Sequence, residues 1–362
     1  MADYDLSVNF MGLTLKGPFL ADSAGYALSP AGLKRLLKAG YPAVITKSAT
    51  WEALPMWPRP WDKSPRPRCY WDEGMDGSEA LINPGFKRMA EYIKEVKPIA
   101  DKLGAHIIGS FSPRTPEEGA IMAREYEKAG ASAVHMDLVC STAAGFRGKQ
   151  HPGKGYDHLG KWWSENAERA MSAMKAAKEA IDIPLLPKSF YAKWAREDPK
   201  TIRTIEETTK IDGISIHTSR IPDTVWIDIY RGKVFTYPKN PPPEALVPLA
   251  LGNTMALAHA ASKPILSAGG ITNVQDIIAM TMAGATVVGV CRAIYRNVKL
   301  ADELNDGIEA YMASQAIESL DDIRGIALKH PAKGPMGLAL EYEEQATPLE
   351  QYRSPLASTI TQ

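Results

Sequence analysis

Eight short apolar runs recur along the chain, and nearly every one is followed by a stretch with helical spacing. They are Pro18–Ala21, 43–47, 105–110, 133–139, 184–188, 213–216, 264–268 and 286–290. Runs this short and this uniformly apolar read as strands buried on both faces, as in a parallel sheet. Parallel strands need a crossover between them, and the intervening helical stretches supply it. Eight such units predict a (β/α)8 TIM barrel. An open doubly wound sheet is the alternative, but the glycine fingerprint of a dinucleotide fold is missing after the first strand.

Helix punctuation agrees with this rhythm. Ser29-Pro30 supplies an N-cap with proline at the first helical position, and Gly40 a stop. Thr115-Pro116-Glu117-Glu118 reads as a capping box, and Thr272 to Gln275 opens a further helix in the same style. Before the first barrel strand, Val8–Met11 predicts a small hairpin closing the barrel floor. Residues 50–80 carry Trp51, Trp57, Trp61 and Trp71 among prolines and predict an ordered lid or interface. Residues 141–158 predict a polar cover, and 219–246 a second long connection with a β-excursion. The expected organisation is a barrel over 1–328, with long loops over its C-terminal face, and a C-terminal tail over 329–362.

Composition excludes several classes. Lys plus Arg equal Asp plus Glu at 42 each, which gives no electrostatic case for nucleic acid or an anionic membrane. No apolar stretch reaches the roughly 18 residues of a spanning helix. The N-terminus lacks a signal peptide's basic and apolar regions, so a cytoplasmic location is expected. The three cysteines (Cys69, Cys140, Cys291) are too few for a disulfide framework or for a cluster held by this chain alone. No HxH or HExxH spacing is present, so no metal is expected.

In such a barrel, catalytic groups come from the C-terminal ends of the strands. Those ends carry Ser23-Ala24-Gly25, Lys47-Ser48, Ser110, Asp137 with Cys140, Lys188, His217-Thr218, Gly269-Gly270 and Cys291-Arg292. Gly269-Gly270 and the peptide N–H groups of Cys291-Arg292 follow the last two strands, where barrels often hold phosphate. Lys47 and Lys188 each end an inward-pointing run and suit an anionic or electron-rich ligand. A Schiff-base lysine would instead make the protein a barrel lyase or aldolase. Cys140 reads either as a reactive thiol or as a buried structural one.

The stretches Gly17–Gly25, Val44–Ser48, Leu81–Phe86, Ala129–Cys140, Pro264–Ile271 and Val288–Ala293 together resemble the flavin-dependent dihydroorotate dehydrogenase superfamily, over roughly residues 7–328. The likeness is nearest to the class 1 enzymes and the pyrimidine-reducing domain of dihydropyrimidine dehydrogenase. It implies FMN on the C-terminal face. Ser23, Ala24, Lys47 and Ser48 would lie along the flavin ring. Lys188 and His217 would stand beside it. Gly252, Gly269, Gly270, Cys291 and Arg292 would hold the ribityl chain and phosphate. Cys140 falls where these relatives carry their proton-transferring cysteine, with Lys47 at the flavin beside it. Asn83, Asp137, Thr142, His217 and Thr218 would face the substrate. A small cyclic substrate and a homodimer or higher homo-oligomer are expected, and the absent cluster motif and the long tail allow a separate electron-transfer subunit.

The departures bear on the substrate. The relatives read Asn-Leu-Ser-Cys-Pro where this chain reads Asp137-Leu-Val-Cys140-Ser, and Asn-Thr where it reads His217-Thr218. An asparagine donates and accepts, whereas an ionised aspartate only accepts. The expected reaction is therefore the addition or removal of two hydrogens across a C=C bond of a small cyclic conjugated substrate. Cys140 would be the acid/base, and hydroxyl or N–H groups on the substrate would match the acceptors. Dihydroorotate or dihydropyrimidine dehydrogenase proper is the alternative. A third reading is a non-catalytic electron-relay flavoprotein.

Overall fold

A computed structural model describes residues 4–54, 82–140, 158–218, 226–228, 233–235 and 243–329. Strands β1 (Val8–Phe10) and β2 (Leu13–Leu15) form an antiparallel hairpin, with Val8 opposite Leu15. The barrel comprises β3 (Phe19–Ala21), β4 (Ala43–Ile45), β5 (His106–Phe111), β6 (Ala133–Asp137), β7 (Leu185–Lys188), β8 (Ile214–His217), β11 (Ile265–Ala268) and β12 (Val287–Val290). Each strand pairs in parallel with the next, and β12 closes on β3. The separate hairpin of β9 (Trp226–Asp228) and β10 (Lys233–Phe235) is the expected β-excursion.

Helices α1 (Pro30–Lys38), α2 (Phe86–Leu103), α3 (Pro116–Lys128), α4 (Lys161–Ser164), α5 (Ala167–Lys178), α6 (Tyr191–Glu197), α7 (Pro199–Thr209), α8 (Pro243–Ala258), α9 (Val274–Met282), α10 (Arg292–Arg296) and α11 (Leu300–Gln315) lie between or after the strands. Ser29 caps α1 by accepting the Gly32 N–H. Two caps differ from the expected boxes. Thr115 accepts the Glu118 N–H, but the Glu118 carboxylate goes to the N–H and guanidinium of Arg114 instead of the cap backbone. On α9 the box lies one residue later than the sequence pattern placed it, with Asn273 and Asp276 as reciprocal partners. The short helix α6 carries too few turns to show a period in sequence.

Strand alternation divides the core in two. Outward residues such as Phe19, Val134, Met136 and Val288 pack beneath the helices. Inward residues Leu20, Ile45, Ile108, Ala133, Leu186, Leu266 and Val287 meet Val8, Phe10 and Leu15 of the hairpin. The hairpin therefore plugs the N-terminal end of the barrel. Gly213 marks that contact, because a Cβ there would stand 2.6 Å from Met11 Sδ. The next inward layer toward the C-terminal end is polar.

Most of the Trp-rich loop (55–81), the cover loop (141–157), most of the long 219–242 connection and the tail from 330 lie outside the described residues, as do Cys69 and Thr142. Among the described residues no helix is long and apolar enough to cross a membrane.

Candidate active site at the C-terminal mouth

Asp137 ends β6 and is the register partner of Lys188, which ends β7. Register partners on adjacent strands share a face, so the carboxylate and the ammonium both enter the barrel. Lys188 Nζ lies 3.5 Å from Asp137 Oδ2 and 3.8 Å from Cys140 Sγ. The Asp137 carboxylate is fully buried. Its Oδ1 accepts the N–H groups of Val139 and Cys140, both at 3.0 Å, and its Oδ2 accepts the Ser48 hydroxyl at 3.1 Å. Among these partners the carboxylate anchors the turn that carries Cys140.

The charges follow from these neighbours. Burial acts to raise the Asp137 carboxyl, but Lys188 and the Cys140 N–H outweigh it, and the group stays ionised well below the usual carboxylate range. For Lys188 burial works the other way, and Asp137, Cys140 and Asp22 outweigh it to keep the amine cationic. Burial and the Asp137 charge push the half-buried Cys140 thiol up to about 12, while Lys188 and Lys47 pull it down. Cys291 is likewise raised to about 12, by burial and Asp22, against Arg292 and Lys47. Lys47 therefore stands in the field of both thiols, and three cations border one mouth.

The remaining predicted residues fall around this centre. The Ser23 hydroxyl lies 3.3 Å from Ser48 Oγ and accepts the Ser48 N–H. Ala24 is buried beside it. Thr218 is buried; its N–H donates to Ala268 O, and Asn253 Nδ2 donates to its hydroxyl at 3.1 Å. His217 ends β8 in register with Ala268. Gly269 and Gly270 have φ of +138° and +84°. A Cβ on Gly269 would lie 2.7 Å from both Thr218 Cβ and Thr218 O, so only a bare backbone fits this turn. Cys291 and Arg292 open α10 next to it.

Two assignments change. Gly252 is exposed in the interior of α8, where its N–H belongs to the helix ladder and is no donor to a phosphate. Asn83 is buried, and its Oδ1 accepts the N–H groups of Thr50 (3.1 Å) and Gly85 (2.9 Å), so its amide braces the loop after β4.

Sequence reading missed four residues. Asp22 lies buried one position past β3, and burial raises its carboxyl. His135 and Ser215 occupy the barrel interior below Asp137. Asn253 links Thr218 to Arg196. Period-2 alternation from Asp137 would have found His135. The other three needed the closed barrel.

A flavin mononucleotide suits this mouth on the structure's own terms. A glycine turn that no side chain can enter, next to Arg292, suits a phosphate. Lys47 and Lys188 supply positive charge for an electron-rich ring.

The dihydroorotate dehydrogenase family model matches residues 5–312. Similar curated proteins include the catalytic subunits of dihydroorotate dehydrogenase B (NAD(+)) from Pyrococcus abyssi, Methanocella arvoryzae and Methanocaldococcus jannaschii. The first is 28% identical, covering 90% of this chain and 99% of the relative. The second is 27% identical, covering 89% and 97%. The third is 25% identical, covering 90% and 99%. Over a barrel with this mouth, a match of such extent shows that the chain belongs to the dihydroorotate dehydrogenase family and is an FMN-dependent oxidoreductase acting on CH–CH groups.

Proposed function

We propose that the protein adds or removes two hydrogens across a C=C bond of a small cyclic conjugated substrate, with Cys140 moving the proton. The observation that carries this reading is the Cys140 thiol, on the turn that follows β6, held 3.8 Å from Lys188 Nζ at the end of β7. FMN, when bound, carries hydride. Cys140 keeps its proton at neutral pH in the ligand-free protein and so stands ready as a general acid. Lys188 stabilises the thiolate left behind, which serves as the base in the reverse direction. Asp137 holds Lys188 charged and fixes the Cys140 turn. This placement changes the role expected of Asp137: it acts on substrate through those two residues instead of as an open acceptor.

Ser23, Ala24, Lys47, Ser48, Lys188, His217, Gly269, Gly270, Cys291 and Arg292 are the proposed FMN contacts. Thr218, His217 and Thr142, the last outside the described residues, are the proposed substrate contacts. An ion-paired Lys188 is a poor Schiff-base nucleophile, which weighs against a lyase. The names of the curated relatives favour a second reading, dihydroorotate dehydrogenase proper with a separate electron-transfer subunit. The visible spectrum of the purified protein tests the class, and bleaching by dihydroorotate, dihydropyrimidines or cyclic enones under anaerobic conditions separates the readings. Cys140→Ala should keep the colour and lose turnover. Colourless protein that refuses FMN, or undiminished turnover in Cys140→Ala, overturns the proposal.

A further inference from the structure

Below Asp137, on the same inward face of β6, His135 is fully buried. Its Nδ1 lies 2.9 Å from Ser110 Oγ and its Nε2 3.2 Å from Ser215 Oγ. Ser110 Oγ is 2.8 Å from Ser48 Oγ, which is 3.1 Å from Asp137 Oδ2. These five side chains cross the barrel interior as one hydrogen-bonded chain.

Proton counting gives the chain a direction. An ionised carboxylate only accepts, so Ser48 must donate to Asp137. Ser48 has one hydroxyl proton, and it then accepts from Ser110. Ser110 has given its own proton to Ser48, so it accepts from His135, which must carry a proton on Nδ1. Burial beside Lys188 lowers the imidazole to about 3, which leaves it neutral with a bare Nε2. That nitrogen accepts from Ser215. Every bond points toward Asp137, the arrangement in which hydrogen bonds in a low-dielectric interior reinforce one another.

We propose that the Asp137 carboxylate sets the direction of this chain and commits the Ser48 hydroxyl to itself, and that His135 is a positioning residue that supports this direction by carrying its single proton on Nδ1. Ser48 then has no proton to offer a ligand at the mouth, and the group packed against it must be a donor or apolar. Through Asp137 the chain also steadies the turn that carries Cys140. The link to Cys140 chemistry rests on the function proposed above; the proton's location does not.

The test is nitrogen-15 NMR of the imidazole in the full-length protein, with and without added FMN. The expected result is one N–H, on Nδ1, unchanged between pH 5 and 9. A proton on Nε2, or on both nitrogens in that range, overturns the proposal whatever the flavin result. A second arm compares two substitutions with the same branching at Cγ. His135→Asn can still place an N–H donor where Nδ1 meets Ser110, whereas His135→Leu has none. Loosening the Cys140 turn should speed the peptide-resolved alkylation of Cys140 by about tenfold for Leu, as a lost buried hydrogen bond implies, and by under about threefold for Asn. Equal effects of Asn and Leu overturn the positioning role. If His135→Leu does not fold, Ser215→Ala replaces it: it should leave the proton on Nδ1, and a shift to Nε2 counts against the chain's direction.

Discussion

The N–H of Cys140 donates to Asp137 Oδ1 at 3.0 Å, and this one bond ties the thiol to the carboxylate three residues before it. The same carboxylate holds Lys188 through its other oxygen. Thiol, cation and anion therefore behave as a unit, and changing one should be visible at the other two.

Asp137→Asn should make Cys140 more reactive. The amide oxygen can still accept the two turn N–H groups, but the negative charge that raises the thiol is gone. With Lys188 left unopposed, the thiol should fall from about 12, and alkylation of Cys140 at pH 8 should quicken, by at most about tenfold for each unit of fall because a less basic thiolate is also less nucleophilic. Peptide mapping after timed iodoacetamide treatment measures it. An unchanged rate would mean that burial alone sets the thiol.

Lys188→Met should be strongly destabilising, by roughly 3–5 kcal/mol, because it strands a buried carboxylate. Adding Asp137→Asn should recover part of that loss, since the two positions are in contact and their effects should not add. Urea unfolding of the four proteins gives the cycle. Simple additivity would show that the pair is not coupled.

Stability should fall in acid partly through His135. The fold keeps this imidazole neutral to about pH 3, whereas the unfolded chain takes up a proton near its ordinary 6.5. Below that value the unfolded state binds more protons, so stability decreases as pH falls, by at most about 1.4 kcal/mol per pH unit from this group. Asp137 adds its own loss as pH falls below the ordinary carboxyl value of 3.8, where the unfolded chain protonates it and the fold does not. His135→Asn should flatten the slope between pH 6 and 4. An identical slope in the variant would assign it elsewhere.

Gly269→Ala should lower both stability and flavin retention. A methyl group there would meet the Thr218 carbonyl at 2.7 Å in a backbone conformation side chains rarely adopt, at a cost on the order of 1–3 kcal/mol. The contact is partly with backbone, so trimming Thr218 to alanine should not restore the loss. Thermal melting with and without FMN reads both effects.

The apolar runs and the caps between them were sufficient to establish the barrel, because burial on both faces and the period of an amphipathic helix are local properties of sequence. They also placed Lys47, Asp137, Cys140, Lys188 and Gly269-Gly270 at strand ends, since strand length alone fixes those positions. Partnership was not local. The register that sets Asp137 opposite Lys188 joins residues 51 apart in sequence, and the one that sets Ser110 opposite His135 joins residues 25 apart. The resemblance alone places Gly252 at the phosphate, and the helix Pro243–Ala258 that contains it leaves its N–H in the helix ladder. Asp137 read as an open acceptor because the two N–H groups and the hydroxyl that occupy it are brought there only by the turn after β6 and by closure of the barrel. Side-chain chemistry followed from the residues themselves; which groups satisfy one another was decided by the fold, since hydrogen bonds and buried charges depend on distance in space and not along the chain.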